Sequence, residues 1–317
     1  MFLRAVILYE TYNPSANSVL IAVSGASGLV GSALVESLVA DGHTVRRLVR
    51  RASHGPDEVA WSPATGEIDA KALSGVDAVV NLAGENIAQR WTHDAKRKIH
   101  ASRVTGTTLI ARTMAGLSPR PSVLVNGSAV GAYGVRGDQV LDETSSLGDD
   151  FLATVCKDWE AATAPARDAG IRVALSRTGI VLDPAGGVLA KMLTPFRLGV
   201  GGTLGDGRQW VSWIALADMV MALRFLVDTE SAAGAFNLTA PIPVDNAELT
   251  RELAAVLHRP SLVPVPRFAL HLLFGQMAEG AALASQRALP RRLLSGGFKF
   301  SEPELRGALE SMLRRAD

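Results

Sequence analysis

The chain has 317 residues, 48% hydrophobic and 20% charged, with a formal net charge of +1. That size and composition suit one large globular core with a smaller lobe, and the near-zero charge gives no footing for a nucleic-acid surface or a membrane-surface helix. The single cysteine, Cys156, excludes an internal disulfide and a thiolate metal cluster; no metal site is expected, and a reducing, cytoplasmic location fits.

Residues 1–18 read as an N-terminal extension, either a tail or an extra edge strand ending at Asn13-Pro14. The apolar run at 5–8 is too short for a secretory signal and has no convincing cleavage site. No run reaches the roughly 18–20 apolar residues of a membrane span. The nearest, 211–227, is interrupted by Asp218 and Arg224.

Residues 19–24 (VLIAVS) are a continuous apolar run of strand length, as expected of a parallel strand buried on both faces. A glycine-rich turn leads to a helix over 30–40, stopped at Asp41-Gly42, and a second strand over 44–49 follows at once. Further strands are predicted at 76–82, 122–126, 171–176 and 235–238. Helices are predicted at 92–117, 150–169, 214–227, 248–257 and 302–315. The alternation gives an α/β fold, a Rossmann-type doubly wound parallel sheet over 19–182 and about 208–240. Between 183 and 207 the glycines and Asp183-Pro184 read as long exposed connections. With 241–317 they would make a smaller, mainly helical C-terminal lobe on the substrate side.

The turn after the first strand is Gly25-Ala26-Ser27-Gly28-Leu29-Val30-Gly31, a GxxGxxG series. Such glycines allow a tight turn, a close approach to a diphosphate and close packing of helix on strand, while the helix N-terminus faces the phosphates. Placement between a buried strand and an apolar helix is the context that gives the motif its meaning. The second strand ends in Arg50-Arg51 with no acid to take a ribose 2′-hydroxyl. Forked donors there suit a 2′-phosphate, so NADP(H) is expected in preference to NAD(H); a solvated basic turn is the plain alternative. After the strand at 76–82, the small residues of Leu82-Ala83-Gly84-Glu85 would let a ribose or adenine lie close.

VSGASGLVG, DAVVNLAGENI, NGSAVGAYG and SWIALADMVMAL resemble the extended short-chain dehydrogenase/reductase superfamily. More narrowly, the chain is similar to the atypical NAD-dependent epimerase/dehydratase branch with a small C-terminal domain of unknown function. Arg90-Trp91, Ser102-Arg103, the segment 205–213, Arg259-Pro260 and GGFKF at 296–300 carry that narrower likeness, which runs from about residue 19 to the end. It implies a small-molecule substrate and allows a homodimer. It also implies a serine and a YxxxK dyad, whose spacing puts an ammonium beside a phenol on one helix face. Registering Glu160 on the family's common acidic residue puts Leu152 at the tyrosine position and Cys156 at the lysine position. Lys157 is one residue, about 100°, off. The dyad is absent.

Ser128 resembles the family's serine and would orient a substrate oxygen, unless it only caps the turn. Tyr133 is a candidate proton donor or a pocket wall. Glu85 and Asp206 are candidate acids at pocket depth. Cys156 is read as a packed hydrophobe more readily than as a nucleophile. Arg177, Trp210 and Trp213 are expected on the substrate side, whereas Arg287, Arg291 and Arg292 read as a solvated face. Two functions follow: an NADP(H)-dependent oxidoreductase or epimerase-like enzyme, or a non-enzymatic NADP(H)-binding sensor or partner-binding module.

Overall fold

The computed structural model describes residues 18–315 and opens with β1 (Leu20–Ser24), α1 (Leu29–Ala40), β2 (Thr44–Val49), β3 (Glu58–Ser62) and β4 (Glu67–Ile68). The expected extra edge strand before residue 18 lies outside the described residues. Next come β5 (Ala78–Asn81), α2 (His93–Gly116), β6 (Val123–Ala129), the short β7 (Val140–Leu141), α3 (Phe151–Ala161), α4 (Ala164–Asp168) and β8 (Arg172–Thr178). Eight strands form the main sheet in the order β12-β8-β6-β5-β1-β2-β3-β4, where β12 is Gly234–Leu238. All its pairings are parallel except β3 with β4. The chain leaves β1 for β2 on one side and returns to β5 on the other, so the strand order reverses at β1. In open α/β sheets that reversal opens a crevice at the carboxyl strand ends.

Strand alternation explains the layers. Ile21 and Val23 pack with Leu34 and Leu38 of α1 and with Val220 and Leu223 of α6 (Leu216–Asp228). Ala22 faces the other way, into a cluster with Ile110, Ala111 and Met114 of α2 and Ala166 of α4. Each large side chain buried this way contributes roughly 1.5–3 kcal/mol. Thr92 caps α2 by accepting from the Ala95 N–H at 3.1 Å, and Asp150 caps α3 through the Ala153 N–H at 2.9 Å.

The second lobe departs from the sequence expectation in one place. Residues 183–207 were expected as open connections, yet they contain the end of β9 (Ile180–Asp183) and α5 (Gly187–Arg197). Leu189, Leu193 and Phe196 recur at helical spacing and are buried. Flanking glycines and Pro195 inside the helix masked that period. After α5 come β10 (Trp210–Val211) and β11 (Trp213–Ala215), which precedes α6; after β12 come β13 (Val244–Asp245), α7 (Asn246–Val256), α8 (Arg267–Phe274), β14 (Arg287–Ala288), α9 (Arg291–Ser295) and α10 (Leu305–Arg314). Helices α5, α7 and α10 close around a second core that includes Trp213. Among the described residues no helix is long and apolar enough to cross a membrane, and no cluster of His, Cys, Asp and Glu is arranged to hold a metal.

Candidate active site

The glycine turn is built for close approach. Gly25 has φ +69°, and a Cβ there would lie 2.8 Å from the Leu82 carbonyl. A Cβ on Gly31 would overlap the Gly25 carbonyl oxygen, so α1 can sit this close to the turn only without a side chain. Gly28 is the N-cap of α1; its N–H bonds the Gly25 oxygen at 3.0 Å, no side chain caps the helix, and no acid occupies its first turn. The next amides, of Leu29, Val30 and Gly31, therefore keep the anion-binding character of a helix start. Leu29 itself lies against Gly186.

The turn opens on a cavity of about 1080 Å³ at the reversal point. Its lining includes residues 25–28 with Ser27 among them, residues 47–51 at the end of β2, Glu58, residues 61–64, residues 82–85, and Lys98, Ser102 and Thr105 of α2. The backbone of the last loop is pinned: the Glu85 N–H donates to Ser102 Oγ at 2.9 Å. A glycine cradle, an open helix start and this volume fit the adenosine and diphosphate of a dinucleotide.

The two arginines part company. Arg51 is a fork on Glu58, Nη1 to Oε2 and Nη2 to Oε1, both 2.7 Å. Glu58 is 6% exposed and also accepts the His54 N–H at 2.9 Å. The Arg51 hydrogen bonds first, then His54, hold its carboxyl at about 2, and the same pairing raises Arg51. Arg50 is exposed at the cavity mouth. Sequence reasoning missed Glu58 because β3 was not predicted; the half-apolar run EVAWS was its only signal.

A sealed polar network fixes the ends of β1, β5 and β6. Ser24 Oγ donates to Asn81 Oδ1 at 2.5 Å, and Asn81 Nδ2 donates to Asn126 Oδ1 at 2.7 Å and Thr107 Oγ1 at 2.8 Å. Trp159 Nε1 also donates to Thr107 Oγ1, at 2.8 Å, and the Trp159 ring lies over Gly127, where a Cβ would be 2.7 Å from it.

Beyond it, Ser128 Oγ donates to Glu160 Oε1 at 2.6 Å. Arg177 clamps the same carboxylate, Nε to Oε1 at 2.8 Å and Nη2 to Oε2 at 2.9 Å, and its Nη1 donates to the Tyr133 hydroxyl at 3.1 Å. That hydroxyl donates to Asn237 Oδ1 at 2.7 Å. Tyr133 is fully buried, and burial raises its pKa. Against the expectation of a proton donor, its proton is committed inward, to Asn237. Arg177, expected on the substrate side, is buried and spends Nε, Nη1 and Nη2 on Glu160 and Tyr133.

Leu152 is half-buried and Cys156 is buried on α3. Burial, then the Glu160 charge, push the Cys156 thiol up to about 11, so it is neutral at ordinary pH and cannot replace an ammonium. Trp213 is fully buried in the second core with Nε1 on the Ile242 oxygen at 3.0 Å, which removes it from the substrate side. Trp210 is half-buried, donates to Asp138 at 2.9 Å and stacks under the Arg287 guanidinium at 4.0 Å. Arg292 is also no solvated group: it donates to the Ala235 and Ala233 oxygens, both at 2.7 Å. Glu85 lines the cavity and accepts from Gln89 at 3.4 Å, whereas Asp206 is exposed.

A doubly wound sheet with a glycine cradle at its reversal point defines a dinucleotide-binding α/β protein. The model of the NAD dependent epimerase/dehydratase family matches residues 21–239, and a domain of unknown function, DUF1731, matches 265–312. The chain belongs to that epimerase/dehydratase family. An epimerase family protein of Mycobacterium bovis is 46% identical over 295 residues, covering 93% of this chain and 97% of its own. The human epimerase family protein SDR39U1 (isoform 2), solved with NADPH, is 33% identical with a TM-score of 0.85, over 93% of this chain and 99% of its own. A nucleoside-diphosphate sugar epimerase from Corynebacterium glutamicum is 38% identical with a TM-score of 0.79, over 94% of this chain and 58% of its own.

The expected preference for NADP(H) over NAD(H) is corrected by these structures. NADPH accompanies the human protein, but NAD accompanies MoeE5 and an Agrobacterium tumefaciens short-chain dehydrogenase/reductase of the same fold, 20% and 21% identical to this chain. The physical reason is local: one of the two arginines meant to read a 2′-phosphate is engaged by Glu58.

Proposed function

We propose that this protein is a nicotinamide-dinucleotide-dependent oxidoreductase or epimerase-like enzyme for a small carbonyl or hydroxyl compound, working without a tyrosine–lysine dyad. The observation that carries this reading is the Gly25–Gly31 cradle opening on the cavity at the β1/β5 reversal. Gly25, Ser27, Gly28, Leu29, Val30 and Gly31 would hold the diphosphate, with residues 82–85 beside the ribose. A bound dinucleotide supplies hydride exchange. Ser128 orients the substrate oxygen: its own proton is turned to Glu160, so its lone pairs are left for a substrate hydroxyl. Arg177 clamps both oxygens of Glu160, which fixes the carboxylate and sets the rotamer of Ser128.

Leu152 and the neutral Cys156 thiol favour a second reading, a dinucleotide-binding sensor with no turnover. Calorimetric titration with NADH and NADPH, followed by deuteride exchange from labelled cofactor into a panel of carbonyls and nucleoside-diphosphate sugars, separates them. Binding with exchange supports the enzyme. Binding without exchange across the panel supports the sensor, and no binding of either cofactor removes both.

A further inference from the structure

Arg103 lies on α2, one residue beyond Ser102 of the cavity lining. Its Nη1 donates to two backbone oxygens, of Glu85 at 3.0 Å and Ile99 at 3.1 Å, and its guanidinium stacks on the Trp159 ring at 5.1 Å. It also fills the space where Gly84 lacks a side chain: a Cβ on Gly84 would lie 2.9 Å from Arg103 Cζ. Among the described residues no carboxylate forms an ion pair with it, and Nε and Nη2 donate to no protein acceptor, yet neither is sealed from solvent. Desolvation lowers its pKa, opposed by the nearby Cys156 and Glu85. A cation held largely out of water without an anion is costly, and fixed donors left unfilled beside a cleft suit a ligand oxygen.

Its place makes the inference specific. Loop 82–85 follows β5, Trp159 covers Gly127 on β6, and Cys156 stands where the dyad lysine would be. The guanidinium thus sits between the ends of β5 and β6, while the arginines at the end of β2 mark the far end of the cavity. We propose that Arg103 supplies from α2 the fixed positive charge missing from α3, and that its Nε and Nη2 donors hold the ribose on the nicotinamide side of the dinucleotide. This rests on the dinucleotide reading above.

The test titrates ADP, ADP-ribose and NADH into the full chain and its Arg103→Gln, Arg103→Lys and Gly84→Ala variants. ADP lacks the second ribose and ADP-ribose keeps it. Arg103→Gln is expected to weaken ADP-ribose and NADH on the order of 10- to 100-fold, the weight of a hydrogen bond from a charged donor, and to leave ADP within about twofold. Arg103→Lys should recover part of the loss. Gly84→Ala, which displaces the guanidinium without removing it but also lies in the cavity lining, should weaken ADP-ribose and NADH more than ADP if Arg103→Gln does not fold. Equal losses for all three ligands, or no loss, would overturn the assignment to the second ribose. If the unaltered protein binds none of the three, the dinucleotide reading itself fails and takes this inference with it.

Discussion

Replacing Arg177 with methionine asks whether that guanidinium serves a ligand or the fold. The side chain is 6% exposed and makes two hydrogen bonds to Glu160 and one to Tyr133. Methionine fills a similar volume but leaves the Glu160 carboxylate buried without its counter-charge, and such a loss typically costs about 3–5 kcal/mol. Glu160 keeps the Ser128 hydroxyl and a little exposure, which argues for the lower end, about 3 kcal/mol. Adding Glu160→Gln removes the orphan charge, and the amide oxygen it introduces still accepts from Ser128. The double variant should therefore be more stable than Arg177→Met alone, with a coupling of about 2 kcal/mol. Urea unfolding of the ligand-free protein, followed by tryptophan fluorescence, measures all four corners of the cycle. A loss under about 1 kcal/mol, additive with Glu160→Gln and accompanied by a rise in KM, would show that Arg177 faces substrate instead.

Gly31→Ala drives a methyl into the Gly25 carbonyl oxygen, so helix and turn must separate. A destabilisation of roughly 1–3 kcal/mol and at least a tenfold loss of NADH affinity by calorimetry are expected, while Gly116→Ala, which meets nothing within 4 Å, should leave both unchanged. With its pKa near 11, Cys156 should be about one part in a thousand thiolate at pH 8. Alkylation by iodoacetamide should accelerate about tenfold per pH unit up to pH 10, and a plateau near pH 8 would contradict the burial argument. Its raised pKa also means stability is retained below the unfolded thiol value of about 8.5 and declines as pH rises from there toward 11. Glu58 works in the opposite direction: its depressed pKa contributes stability above the unfolded carboxylate range, lost as pH falls from about 4.3 toward 2. Denaturation midpoints measured from pH 5 to 2 should fall less steeply in Glu58→Gln.

The β1–α1–β2 unit was legible because every signal for it is local: an apolar run, glycines at fixed spacing, Asp41-Gly42 as a stop. Strand β2 falls at residues 44–49 as expected, and α1 differs from the expected helix only by starting at Leu29. Strand β3 was not legible, since it is only five residues long with the polar Glu58 and Ser62 at its ends. Yet its Glu58 decides what Arg51 can do. Helix α5 hid behind glycines that usually end helices. The site failed in the same way: Ser128, Glu160 and Arg177 were each singled out, but their partnership spans 49 residues of chain and three elements, and no local pattern announces it.

Side-chain type was therefore a poor guide to role at this site, and donor occupancy a better one. Arg51, Arg177 and Arg103 are the same residue type in different surroundings. Arg51 and Arg177 are forked onto carboxylates, which neutralise them and turn them into struts. Arg103 meets only carbonyl oxygens and an aromatic face, so its charge is oriented but not cancelled. An oriented, uncancelled charge is the condition for acting on a ligand, because its field is spent on whatever enters the cleft rather than on the protein. Position 156 is a cysteine, and the positive charge proposed for the site comes instead from Arg103 on α2.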